Sequence, residues 1–163
     1  MTNSIVRIAC RMVVIVIAAA ALYRYSLTPI YANRQLKQIE IRTRGALDGA
    51  MSEEHSIMTA RDNLELLGRF EPRCLLAVEY HMLWAANDRI LHRTDDALEH
   101  YTLALAMEHR PELYFERGLT YLEKGDIDGA TADVARAARF NPNYVTEING
   151  ELQQRVLAAL PKQ

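Results

Sequence analysis

The sequence predicts an all-α fold in which antiparallel helix pairs stack as a solenoid, with a C-terminal capping helix and an apolar helix ahead of them. Three observations carry this expectation. The block from Pro111 to Tyr144, PELYFERGLTYLEKGDIDGATADVARAARFNPNY, places bulky, small and turn residues where two crossed helices need them. A similar arrangement returns thirty-three residues earlier, and an apolar run from Met12 to Tyr23 lies near the start of the sequence. Composition agrees: half of the 163 residues are hydrophobic and only five are proline, which suits one helical domain of about 120–130 residues plus a leader.

Residues 1–25 read as a membrane anchor or a signal segment. Met12 to Tyr23 is apolar throughout, and with Ile5 to Arg11 it approaches the ~20 residues that cross a bilayer. Arg7 and Arg11 would reach for the near headgroups, with Tyr23, Tyr25, Tyr31 and Arg24 at the far interface. The basic start, short apolar core and small residues Ala18 to Ala21 also fit a cleaved signal peptide.

Residues 26–44 follow as a basic juxtamembrane stem able to lie along anionic lipid. Residues 1–44 carry seven basic side chains and one acidic one, whereas the rest of the chain carries twelve and twenty. Basic residues flank the apolar run on both sides, and counted alone they favour a cytoplasmic repeat domain. The basic start favours export, so the expected placement is single-pass and extracytoplasmic, with a cytoplasmic-facing domain as the alternative. The acidic domain offers no basic face for phosphates, which argues against nucleic acid as a partner.

Residues 45–160 hold the predicted helix pairs. A first pair places Leu47 and Met51 on one helix and Ala60, Leu64 and Leu67 on the next, ending at Phe70-Glu71-Pro72. Gly45 and Gly49 there suit close helix packing. In the second pair, Ala85, Ala97, Tyr101 and Ala104 mark the crossing, and Thr94-Asp95-Asp96 caps a helix from Asp95 to Met107.

The third pair is the clearest. Pro111 suits a first helical turn, and Gly118, Ala130 and Ala137 let backbones approach beside Tyr114 and Tyr121. Gly125 ends the first helix in a left-handed turn, Asp126 caps the second, and Asn141-Pro142 stops it. The copy before it is degenerate, with Asp88 at the slot of Tyr121, His92 at the slot of Gly125 and Trp84 at that of Arg117. Val145, Ile148, Leu152, Val156 and Leu160 form one stripe of a capping helix expected from Asn143 to Leu160.

Tyr114, Gly118, Tyr121, Ala130, Ala137 and Pro142 together resemble the tetratricopeptide repeat (TPR) family. The likeness departs at Arg117, where a leucine is usual, and at Val134, where an aromatic residue is common. It implies a concave face built by the first helix of each pair. Here that face would carry Glu79, Met82, Ala86, Arg89 and Ile90, then Glu112, Phe115, Leu119, Leu122 and Glu123. Some members clamp a peptide carboxylate with lysine and asparagine, which these positions lack, so a helix or extended segment with apolar anchors is the expected ligand. The same stripe equally fits packing against a neighbouring helix.

Chemistry has little support in the sequence. His55, His81, His92, His100 and His109 are scattered over different predicted elements, with no His-x-x-x-His or Cys-x-x-Cys pair. There is no Gly-x-Ser-x-Gly and no glycine-rich phosphate loop. Cys10 and Cys74 fall in different regions and set no redox compartment. The expected function is non-catalytic, without metal or cofactor: a membrane-anchored scaffold or adaptor that binds a protein or peptide partner. The alternatives are an accessory subunit of a membrane assembly and a soluble exported adaptor.

Overall fold

The structure, a computed structural model, describes residues 2–23, 28–69 and 77–161. Side chains are described from Met12 in the first stretch and from Ile30 in the second. The side chains of Arg7, Cys10 and Arg11, and the segments holding Arg24, Tyr25, Phe70-Glu71-Pro72 and Cys74, lie outside what is described. Among the described residues the fold is all-α, with eight α-helices and no strand. These are α1 (Thr2–Leu22), α2 (Thr28–Leu47), α3 (Glu53–Gly68), α4 (Ala77–Ile90), α5 (Thr94–Met107), α6 (Pro111–Lys124), α7 (Ile127–Ala138) and α8 (Gly150–Ala159).

Helices α2 to α7 pack as three successive pairs, α2 with α3, α4 with α5 and α6 with α7, and each pair leans on the next. That arrangement is compatible with a solenoid. The crossing of α6 on α7 is a close one, and its residues explain why. A Cβ added at Gly118 would stand 2.7 Å from Val134 Cγ2 and 3.3 Å from the Ala130 carbonyl oxygen. Ala130 and Ala137 are fully buried opposite it, as are Ala85, Ala97 and Ala104 at the preceding crossing. Small residues thus set the helix spacing, and large ones such as Tyr101, Leu113 and Val134 fill the space around the contact.

The turns that close the two later pairs are built alike. Gly125 has φ 86° and donates its N–H to Leu122 O, while Asp126 N–H reaches back to Tyr121 O. Thirty-three residues earlier His92 has φ 57°, and the same two bonds run from His92 to Arg89 O and from Arg93 to Asp88 O. Both satisfy the last carbonyls of a helix through a left-handed residue. Asp126 also accepts the Gly129 N–H at 2.9 Å, the N-cap expected for α7.

Four details depart from the sequence expectations. Residues 28–47 form a packed helix, in which Leu36, Ile39, Thr43 and Ala46 are buried against the following pairs. The stem is therefore mostly the first helix of the first pair. Leu47 consequently ends α2 half-exposed, Met51 falls in the turn beyond it, and Gly49 lies in that turn as well. Helix α5 begins at Thr94 with no side-chain cap. The capping helix is interrupted: Pro142–Val145 is a short 3₁₀ turn and α8 starts only at Gly150, which has φ 61°. The interruption keeps the apolar stripe in place, since Val145, Ile148, Leu152 and Val156 are all buried.

The bilayer-spanning helix expected at the N-terminus is not found: among the described residues no helix is long and apolar enough to cross a membrane. Helix α1 covers Thr2–Leu22, and the side chains described in this stretch begin at Met12. All of them are exposed, and among the described residues α1 enters none of the principal helix contacts.

Candidate functional site

Helices α4 and α6 share a face, tied together by charge. Arg89 on α4 donates from Nη1 to Glu116 and from Nη2 and Nε to the two oxygens of Glu123, at 2.7 and 3.3 Å. The Arg89 side chain is only 11% exposed. Two-point contact with one carboxylate and a second carboxylate beside it make this a directional clamp. Burial alone would favour the neutral guanidine, but Glu123 and Glu116 more than offset it and hold Arg89 charged. Behind the clamp lies Tyr101, whose phenol is pushed well up, first by burial and then by Glu116. At the other end of the face, Arg110 bridges Glu79 at 2.9 Å and Glu108 at 2.6 Å.

The residues expected to form a binding groove divide into two groups. Phe115 is buried and stacks on Tyr144 with ring centroids 4.6 Å apart, and Met82 and Leu119 pack against the core. These three serve packing. Glu112 and Leu122 are exposed, Glu79 and Ile90 are half-buried, and Arg89 and Glu123 are joined in the clamp. What faces solvent is therefore more acidic than apolar, with Glu79, Glu112, Glu116 and Glu123 spread along the face and Leu122 exposed towards the end of α6. Tyr144 registers the same field, because burial and then Glu112, Glu147 and Glu116 push its phenol up.

A second feature was not legible in the sequence. One slot on the second helix of each pair, read by aligning Ala60, Ala97 and Ala130, is occupied by Asn63, His100 and Asp133. Each bonds or stacks with a side chain of the first helix. Asn63 donates to Thr43 Oγ1 at 3.2 Å and to Asn87 Oδ1 at 3.0 Å, all three residues being almost fully buried. His100 stacks on Trp84 at 5.2 Å. Asp133 accepts two bonds from Arg117, at 2.6 and 3.0 Å. The Arg117 that departs from the family pattern thus has a buried carboxylate waiting for it, and Trp84 at the equivalent position has an imidazole.

The histidines, expected to be scattered, are partly brought together. His81 Nδ1 and His100 Nδ1 are 3.1 Å apart, from α4 and α5, with Tyr80 and Trp84 rings beside them. Burial holds both imidazoles below their ordinary pKa, and for His81 the neighbouring His100 adds to it. His109 instead meets the Tyr114 hydroxyl at 2.8 Å, and His55 and His92 are exposed. Among the described residues no group of three or more His, Cys, Asp or Glu side chains is arranged to hold a metal ion. An open cleft of about 240 Å³ lies between α2 and α3, lined by Arg42, Asp62, Glu65, Leu66 and Arg69. Its carboxylates have arginine neighbours, and no nucleophile lines it.

Neither the protein-family models, nor the curated proteins, nor the solved structures contain a match to this chain.

Proposed function

We propose that this chain is a TPR-like, non-catalytic scaffold that holds a segment of a partner protein against the face shared by α4 and α6, close to a membrane. The observation that supports the reading most is the excess of carboxylates on that face, Glu79, Glu112, Glu116 and Glu123 against Arg89 and Arg110, with Leu122 exposed on α6. Such a surface suits a basic segment with one or two apolar anchors: charge steers the approach and the apolar contact sets the residence time. The partner chemistry is thus shifted from the mainly apolar ligand expected from sequence. Arg89 keeps Glu116 and Glu123 fixed, so their charge is presented without ordering two long side chains at binding. The N-terminal segment supports the membrane part of the reading through the contiguous exposed apolar residues Met12 to Leu22, a surface that water solvates poorly.

The test is crosslinked recovery of partners from native membranes, with the full-length chain as bait and its intact mass determined. Glu112 and Leu122 are both exposed, so a Glu112→Lys, Leu122→Ser variant retains the fold. Partners held by the wild-type bait and lost from this variant, more weakly retained at high salt, are the expected outcome. An identical set on both baits would sink the proposed face. A bait shortened near Ala21 would replace the membrane anchor by a soluble exported adaptor.

A further inference from the structure

We infer that His81 and His100 form a two-imidazole site for a borderline transition-metal cation, Cu²⁺ or Zn²⁺, at the crossing of α4 and α5. The geometry carries the inference. Two nitrogens bound to one such ion at about 2.0–2.1 Å stand about 2.9 Å apart at a right angle and about 3.3 Å apart in a tetrahedron. The two Nδ1 atoms are 3.1 Å apart, between these limits, and they come from separate helices whose packing fixes the bite. A preset bite removes most of the ordering cost that a pair of free side chains would meet.

The surroundings suit a cation as well. Both rings are partly buried and held neutral, so each offers a lone pair at ordinary pH. Asp96 and Glu99 place negative charge near His100 from its own helix, and Trp84 lies flat against the His100 ring at 5.2 Å, fixing its orientation. Imidazole is the ligand type that copper and zinc share, and no carboxylate or thiolate among the described residues completes the set. Water fills the remaining positions. A simple hydrogen bond between the two rings has the same distance, and it is the alternative that the experiment must separate.

Trp84 is the sole tryptophan of the chain and stacks on one of the two rings, so paramagnetic Cu²⁺ at the site quenches its fluorescence. The full-length protein in detergent is titrated with Cu²⁺ at pH 7.5, alongside His81→Gln, His100→Gln and His55→Gln, with circular dichroism to verify folding. Expected are saturable quenching at one equivalent in the wild type and in His55→Gln, and at least tenfold weaker binding in each of the other two. Quenching that does not saturate, or that is the same in all four proteins, overturns the site. If either variant unfolds, the wild type is labelled with diethyl pyrocarbonate with and without Zn²⁺. Protection of His81 and His100, but not of His55 and His92, supports the site, and equal labelling with and without Zn²⁺ overturns it.

Discussion

Asp88 is almost fully buried at the C-terminal end of α4, its carboxylate 3.7 Å from an exposed Arg93 guanidinium. Burial, helped by the Asp96 charge and opposed by Arg93, pushes its pKa up to about 6. The native state therefore holds this proton more tightly than the unfolded chain. Between pH about 4 and 6 the stability from this group declines as pH rises, and above 6 the full cost of the buried charge persists. Replacing Asp88→Asn keeps the shape and removes the charge. It is expected to stabilise the protein by roughly 1–2 kcal/mol at pH 8 and by much less at pH 4.5, since the Arg93 contact is exposed and worth little. The histidine pair has the opposite slope, losing stability as pH falls through about 6.5, so variant and wild type must be compared by urea unfolding at the same pH. An equal gain at both pH values would mean that titration is not the cause. Sequence spacing placed Asp88 where the clearer pair has Tyr121, but it gave no sign of burial. Nor could it show that His81 and His100 meet, because their nineteen-residue separation has meaning only once α4 and α5 are laid against each other.

The helix crossings were legible because their signal is steric and local. Gly118, Ala130 and Ala137, with Ala85, Ala97 and Ala104 one pair earlier, appear in the sequence as small residues at fixed spacing, and all sit buried at the contacts. Gly118→Ala tests the crossing of α6 and α7. Its new methyl group would stand 2.7 Å from Val134 Cγ2 and 3.3 Å from Val134 N and the Ala130 carbonyl. Helix propensity favours the change by about 1 kcal/mol, but the clash is expected to outweigh it, for a net loss of about 1–2 kcal/mol in thermal or urea unfolding. Adding Val134→Ala removes the nearest obstacle, so Gly118→Ala made in that background should be neutral or stabilising. A destabilisation of the same size in both backgrounds would show that the backbone contacts, and not Val134, set the spacing. The capping helix was less legible. A 3.6-residue apolar stripe predicted one continuous helix, yet the 3₁₀ turn at Pro142–Val145 and the late start at Gly150 bury the same Val145 and Ile148. Periodicity is blind to such a break. The punctuation that marks it, Asn141-Pro142-Asn143 and Asn149-Gly150, is a turn signal that outweighs the stripe. The stem misled for a related reason: its basic charge is spread over the exposed side of α2, while Leu36, Ile39 and Ala46 recur on the buried side.

At the scale of the molecule, α4 belongs to two cores. Val78 and Ala85 join the large C-terminal cluster with α5 to α8, whereas Tyr80 and Leu83 join a smaller one with Leu36, Ile39, Leu64 and Leu67 of α2 and α3. The smaller core is sealed by the buried Thr43, Asn63 and Asn87 network, in which Asn87 also donates to Leu83 O at 2.7 Å and Asn63 Oδ1 has no partner among the described residues. Burial scales with the apolar area enclosed, and an unsatisfied buried oxygen subtracts from it. The two parts are therefore expected to open at different free energies, as neighbour-coupled units do in stacked helical proteins. Native-state hydrogen exchange should show amides of α2 and α3 exchanging through a partial opening, with α6 and α7 protected up to global unfolding. Asn87→Ala strands Thr43 and Asn63, so it should lower the protection of α2 and α3 several-fold more than that of α6 and α7. Val156→Ala, at a fully buried position of α8, should do the reverse. If both substitutions lower protection equally throughout, the chain is one cooperative unit and α4 transmits every perturbation. If they separate, the core shared by α4 to α8 is the more stable part, and α2 and α3 open without it.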